Sequence, residues 1–215
     1  KSQPALSNYH IWKMLDSSVS ALHEHLLGTE IVEKNLGLKT GKDPKSFSEG
    51  VINKLERLSI PKWEFSESFR DSKEVPSWLI DEEDYNSVRE NEINLYNQIA
   101  DLSSNLSDRR LRSKVDCIAK AIKEKKKVLA FDTSNVTLIE IQKFLLDRDI
   151  EAHCYIGSSK GTKTNKVKEA EELFGLESDD KPRVGLLSDM MSEGINLQGT
   201  SVLVHLTTPS VIRLA

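Results

Sequence analysis

The sequence predicts an α/β fold in which a parallel sheet flanked by helices is preceded by a mainly helical segment, with the boundary between residues 127 and 128. Two observations lead there. After Lys127, four short apolar runs, Val128 to Phe131, Ala152 to Ile156, Val184 to Leu187 and Val202 to Leu206, have the length of buried strands. Between the first three lie two helical stripes, Leu138, Ile141 and Leu145, then Val167, Ala170 and Phe174. Strands alternating with helices imply parallel pairing through right-handed crossovers.

Residues 4 to 27 read as one helix: Pro4 suits its first turn, Ile11, Leu15, Val19, Leu22 and Leu26 form one stripe, and Gly28 stops it. Phe47, Val51, Ile52, Leu55 and Leu58 predict a second helix, ended by Pro61. Residues 37 to 46 and 61 to 80, rich in Gly, Pro, Ser and charge, read as loops, the second carrying Trp63, Phe65, Phe69 and Trp78 at irregular spacing. From Asp81 to Lys127 the period is helical again, through Tyr85, Val88, Tyr96, Ile99, Leu102 and Leu106, then Leu111, Val115, Ile118 and Ile122. The acidic start at Asp81 to Asp84 and the basic end at Lys123 to Lys127 both suit the helix dipole. Solvated helix ends explain both runs; the alternative makes Lys125, Lys126 and Lys127 a contact to a DNA backbone. Further on, helices are expected over 135 to 147 and 165 to 174, the latter capped by Thr164 and stopped by Gly175.

A length of 215 residues suits one or two domains with a packed core. No apolar run approaches the roughly 20 residues needed to span a bilayer, which argues against a membrane partner. Cys117 and Cys154 have neither metal-ligand spacing nor a disulfide framework, so both read as small core residues of a protein in a reducing cytoplasm. Net charge is −4: residues before Val128 balance 21 basic against 21 acidic, and the rest carry 9 against 13. That distribution argues against a simple basic DNA-binding module, although a motor lobe grips phosphates with a few loops and helix termini instead. His23 and His25 do not suggest a metal, because helical positions two apart point roughly 200° from each other.

In a parallel sheet the loops after the strands gather at one edge, where ligands bind. The first, Phe131-Asp132-Thr133-Ser134, is either a strand-to-helix cap or a phosphate contact. The second, Gly157-Ser-Ser-Lys160-Gly-Thr-Lys163-Thr164, nearly spells a phosphate loop, but Thr162 stands where a glycine must precede the lysine, and Gly161 comes one position early. The third is the longest: Arg183 to Gly199, in which an apolar strand breaks at Ser188-Asp189 and a small polar loop turns through Gly194 to Asn196.

Those 17 contiguous positions, Arg-Val-Gly-Leu-Leu-Ser-Asp-Met-Met-Ser-Glu-Gly-Ile-Asn-Leu-Gln-Gly, resemble motif V of the superfamily 2 helicases and translocases, most closely the Swi/Snf-type branch. Phe131 to Ser134 is similar to motif IV of the same family, and Ser17-Ser18 with Ala21-Leu22 resembles a segment found ahead of the second motor lobe in bacterial Swi/Snf-type proteins. The resemblance covers residues 128 to 215 and, loosely, 10 to 27.

The resemblance implies a RecA-like second lobe of a DNA helicase or translocase, truncated before motif VI and with no catalytic residue of its own. It implies nucleic-acid contacts from Ser188, Thr133, Gly157 and Lys160, nucleotide contacts from Gly194 and Asn196, and an internal tie from Asp189. ATP and magnesium would be bound only together with the first RecA-like lobe of the same chain, and the partner would be duplex DNA, in the nucleoid if the protein is bacterial. Two other classes remain open: a separate nucleotidase using 157 to 164 with Asp189 as magnesium carboxylate, and a non-catalytic docking module using Trp63, Phe65, Phe69 and Trp78.

Overall fold

The computed structural model describes residues 3–39, 44, 47–58, 76–79, 81–124, 127–156, 160–188, 191 and 195–207, with the side chains of 3–7, 77 and 160–164 excepted. Helices precede the sheet: α1 (Gln3–Ser17), α2 (Val19–Leu27), α3 (Thr29–Leu36), α4 (Val51–Arg57), a 3-10 turn (Ser77–Leu79), α5 (Glu82–Ser104) and α6 (Arg109–Glu124). The α/β part follows as β1 (Lys127–Asp132), α7 (Asn135–Leu146), β2 (Ala152–Tyr155), α8 (Lys160–Phe174), β3 (Arg183–Ser188) and β4 (Val202–His205). All four strands are parallel, in the order β2-β3-β1-β4. None of the described helices is long and apolar enough to cross a membrane.

Each predicted strand is present within one residue of its expected ends. β1 and β3 are central, and five of the six β1 residues and all six of β3 are buried, which is why they read as unbroken apolar runs. One face packs against α6 and α7 through Val115, Ile118, Leu138, Ile141, Val128 and Leu186. The other packs against α8, with Leu129, Leu187, Ala170, Phe174 and Met191 in contact. A third core, Leu22, Leu26, Ile52, Tyr96 and Ala100, joins α2, α4 and α5.

Several helical boundaries differ from the periodicity. The single helix expected over 4 to 27 is two helices, because Ser18 has extended backbone (φ −165°, ψ 168°) and its hydroxyl accepts a bond from the Ala21 amide at 2.9 Å, the geometry of an N-cap. Gly28 ends α2 but also starts α3, an element the periodicity did not suggest: its φ of +98° turns the chain at once, and a Cβ there would lie 2.9 Å from Ser48 O. The long 81 to 127 pattern divides into α5, capped by Asp81, and α6. Helix α8 begins at Lys160, so Thr164 lies inside it and is not its cap.

Some side chains also depart from expectation. Cys117 is exposed rather than in the core, whereas Cys154 is mostly enclosed and burial pushes its thiol up to about 12. Val88, Leu102 and Leu106 are exposed while Tyr85, Tyr96 and Ala100 turn inward. Lys127 is only 3 % exposed, the first residue of β1, with its ammonium on the Ser178 hydroxyl, so it is not a free DNA contact; Lys125 and Lys126 lie outside the described residues.

Candidate functional site

The connections leaving the carboxyl ends of β1 and β3 run in opposite directions. From β1 the chain passes through α7 to β2 on one side, and from β3 it passes to β4 on the other. In open α/β sheets such a reversal of direction between adjacent strands marks the position where ligands are expected, at the strands' carboxyl ends. The register pairs Asp132 with Ser188 at that point.

Asp132 is 1 % exposed, and both its carboxylate oxygens are engaged. Oδ1 accepts from the Ser17 hydroxyl at 2.5 Å and from the Ser134 amide at 2.9 Å; Oδ2 faces the Lys114 ammonium at 3.5 Å. Ser17 and Ser18 each bond the Thr137 hydroxyl at 2.7 Å, and Lys114 also donates to the carbonyls of Asp16 and Ser17 at 2.9 and 2.6 Å. Lys114 thus satisfies orphan carbonyls at the end of α1, where the helix dipole favours a cation. Burial pushes the Asp132 carboxyl up and the Lys114 ammonium down, in each case against their mutual attraction. The α1–α2 junction is therefore a plug of hydroxyls seated on the end of β1.

The predicted site residues fall in different places. Ser188 closes β3, is 5 % exposed and already has a bonding partner. Thr133 follows β1 directly, and its hydroxyl oxygen is enclosed without a hydrogen-bond partner among the described residues. These two stand at the adjacent ends of β1 and β3, where the Thr133 hydroxyl is enclosed and Ser188 is buried. Asn196 is exposed and stands apart: its amide donates to Glu171 of α8 at 3.3 Å, on a groove of about 660 Å³ lined by Phe131, Ile195, Leu197 and Leu203 but by none of Asp132, Thr133 or Ser188. Lys160 is the first residue of α8, with its side chain outside the described residues; Gly157, Asp189 and Gly194 lie outside them altogether.

Gly199, the last residue of the motif V-like stretch, has a packing duty. Its amide donates to Phe174 O at 2.9 Å, and a Cβ there would lie 2.1 Å from Gly175 O, so the chain crosses the end of α8 only because Gly199 lacks a side chain. Met191 is fully buried in the core beneath α8, with Leu129, Leu187 and Phe174.

Of the phosphate-loop-like stretch, Lys160 to Thr164 lie within α8 and residues 157–159 lie outside the described residues. Of the docking aromatics, Trp78 is partly buried and stacks on Tyr85 at 6.4 Å, and Trp63, Phe65 and Phe69 lie outside the described residues. His23 bonds the Ser103 hydroxyl at 2.8 Å and His25 stacks on His10.

Sequence reading missed Lys114 and Thr137, since one lysine on an amphipathic helix and one threonine in an apolar one carry no motif. The only advance signal was Ser17-Ser18, two small polar residues inside an apolar stripe. No family model, curated protein or solved structure matches the chain.

Proposed function

We propose that this chain is the second RecA-like lobe, spanning motifs IV to V, of a Swi/Snf-like superfamily 2 ATPase that translocates on duplex DNA. The observation that carries the reading is the meeting of the motif IV-like and motif V-like strand ends at the switch point, with Asp132 opposite Ser188. Support also comes from the Ser17-Ser18 segment, which is seated on the motif IV-like loop through Asp132 and Thr137.

The described residues do not fit magnesium by themselves: Asp132, at the paired strand ends, has both oxygens engaged, and among the described residues no cluster of His, Cys, Asp or Glu could ligate a metal. In this reading ATP and its magnesium are bound at the pairing with a first lobe. In the assembled motor this lobe would orient DNA with Ser188 and Thr133 and contribute Gly194 and Asn196 towards nucleotide, and closure of the two lobes would shift its grip along a strand.

Burial of Ser188 makes a packing role the competing explanation, and the test separates the two. In the complete ATPase, Ser188→Ala should lower the DNA-stimulated hydrolysis rate about tenfold while leaving the DNA-free rate and the melting temperature near their original values. An equal fall in both rates, or a large fall in melting temperature, would assign Ser188 to the fold.

A further inference from the structure

Away from the sheet, α5 carries a line of apolar side chains on its outer surface. Val88, Leu95 and Leu102 stand seven residues apart and are 40, 54 and 71 % exposed, and Leu106, just past the helix end, is 52 % exposed. Among the described residues Leu102 is the most exposed large apolar side chain. A seven-residue repeat drifts only about 20° per repeat around a straight helix, so these side chains form one seam along α5. The seam runs beside the face that Tyr96 and Ala100 turn to α2 and α4. Single exposed leucines are ordinary on a surface, but this spacing is the one with which helices pair.

The two halves of the seam differ in a complementary way. In the amino-terminal half, Val88 borders a groove of about 270 Å³ whose other walls include Leu55, Leu58, Trp78, Leu79 and Tyr85. In the carboxyl-terminal half, Leu102 projects into solvent. Val88 and Leu102 lie equally far from Leu95, so a two-fold axis at Leu95 sets each Leu102 opposite the Val88 groove of a second copy. The same axis brings the acidic first turn, Glu82, Glu83 and Asp84, to the exposed Arg109 of the second copy, because Asp81 and Arg109 each lie fourteen residues from Leu95. Along the flank of the seam the exposed Asn91 and Gln98 meet as uncharged amides. Parallel pairing would instead set acid against acid and groove against groove.

We propose that α5 is a dimerisation surface on which two copies of this chain pair antiparallel about Leu95, each Leu102 entering the groove beside the other copy's Val88. This inference goes beyond the motor reading and does not rest on it.

The experiment is sedimentation equilibrium of the intact 215-residue chain from about 1 to about 500 µM. A monomer–dimer equilibrium is expected, with a dissociation constant of about 10–100 µM, in keeping with so few apolar anchors. Leu95→Asp sets two carboxylates against each other on the axis and should weaken dimerisation at least about thirtyfold. Leu146→Asp, on α7 and 52 % exposed, should leave it unchanged. In chains that also carry Cys117→Ser, oxidation of a mixture of Val88→Cys and Leu102→Cys should give the mixed disulfide, whereas either variant alone stays unlinked. The proposal falls if the chain is monomeric throughout that range, which would leave the seam to a different partner. It falls also if folded Leu95→Asp dimerises as well as the original, or if Val88→Cys links to itself, the outcome of parallel pairing. Should Leu95→Asp fail to fold, Leu102→Asp is read in its place.

Discussion

The two ends of the β1–β3 pair bury polar groups in opposite ways. At the amino end Lys127 stands opposite Arg183, each 3 % exposed; Lys127 bonds the partly buried Ser178, and the acids that meet Arg183 are half in water, all of them within the α/β part. Arg183 grips Asp179 at 2.9 and 3.1 Å and lies 3.4 Å from Glu151, acids about half exposed. At the carboxyl end Asp132 is satisfied by Ser17, 115 residues away, and the Thr137 hydroxyl beside it by Ser17 and Ser18. The amino end closes itself; the carboxyl end is closed by another part of the chain. The amino end is thus closed from within the α/β part, while the carboxyl end of β1 depends on where the helical segment sits.

The largest effect should come from Asp132→Ala. It leaves the buried Lys114 without its carboxylate, orphans the Ser134 amide and takes from the Ser17 hydroxyl one of its two partners, so about 3–5 kcal/mol of unfolding free energy should disappear in a urea titration. Asp132→Asn, which keeps an acceptor, should lose less. A loss below about 1 kcal/mol for the alanine variant would mean the plug does not hold the strand end and would dissolve the contrast.

Arg183→Met sharpens it from the other end. Here the partners left behind, Asp179 and Glu151, can return to water, so the loss should be only about 1 kcal/mol despite the equal burial of the two charges. A loss matching that of Asp132→Ala would show that burial of the charge, and not the exposure of its partners, sets the cost.

The smallest effect concerns pH. His23 and His25 are held below the ordinary histidine range chiefly by burial, with His10 and Lys54 adding to the effect at His25. The folded state prefers their neutral forms, so the stability they contribute is full above about pH 6.5 and is lost as pH falls through their depressed folded values. Hydrogen exchange should accordingly show α2 losing protection on acidification before β3 does, and His23→Gln with His25→Gln should flatten that dependence. If α2 and β3 lose protection together, the helical segment and the sheet open as one unit.

Much of the sheet was legible because its strands are buried on both faces. Val128 to Phe131 and Val184 to Leu187 announce themselves as apolar runs, and the stripe Leu138, Ile141 and Leu145 needs only the helical period to be read as α7. Helix breaks were less legible. The Ser17-Ser18 hydroxyls leave the α1 stripe to bond Asp132 and Thr137, and periodicity carries no record of a partner more than a hundred residues distant. Of the candidate site, Ser188 and Thr133 were expected from the motif V-like and motif IV-like resemblance, and the register sets the two strand ends side by side; Asn196, expected from the same motif V-like stretch, lies instead beside the end of α8.

The sequence by itself determined the fold class and the four strands, because burial on both faces and helical amphipathicity are written residue by residue. Only the tertiary structure decided which carboxylate is spent on internal bonds and which lysine is buried. Those outcomes depend on which side chains meet across distant segments, and the free energy of a buried polar group is set by the partner it meets.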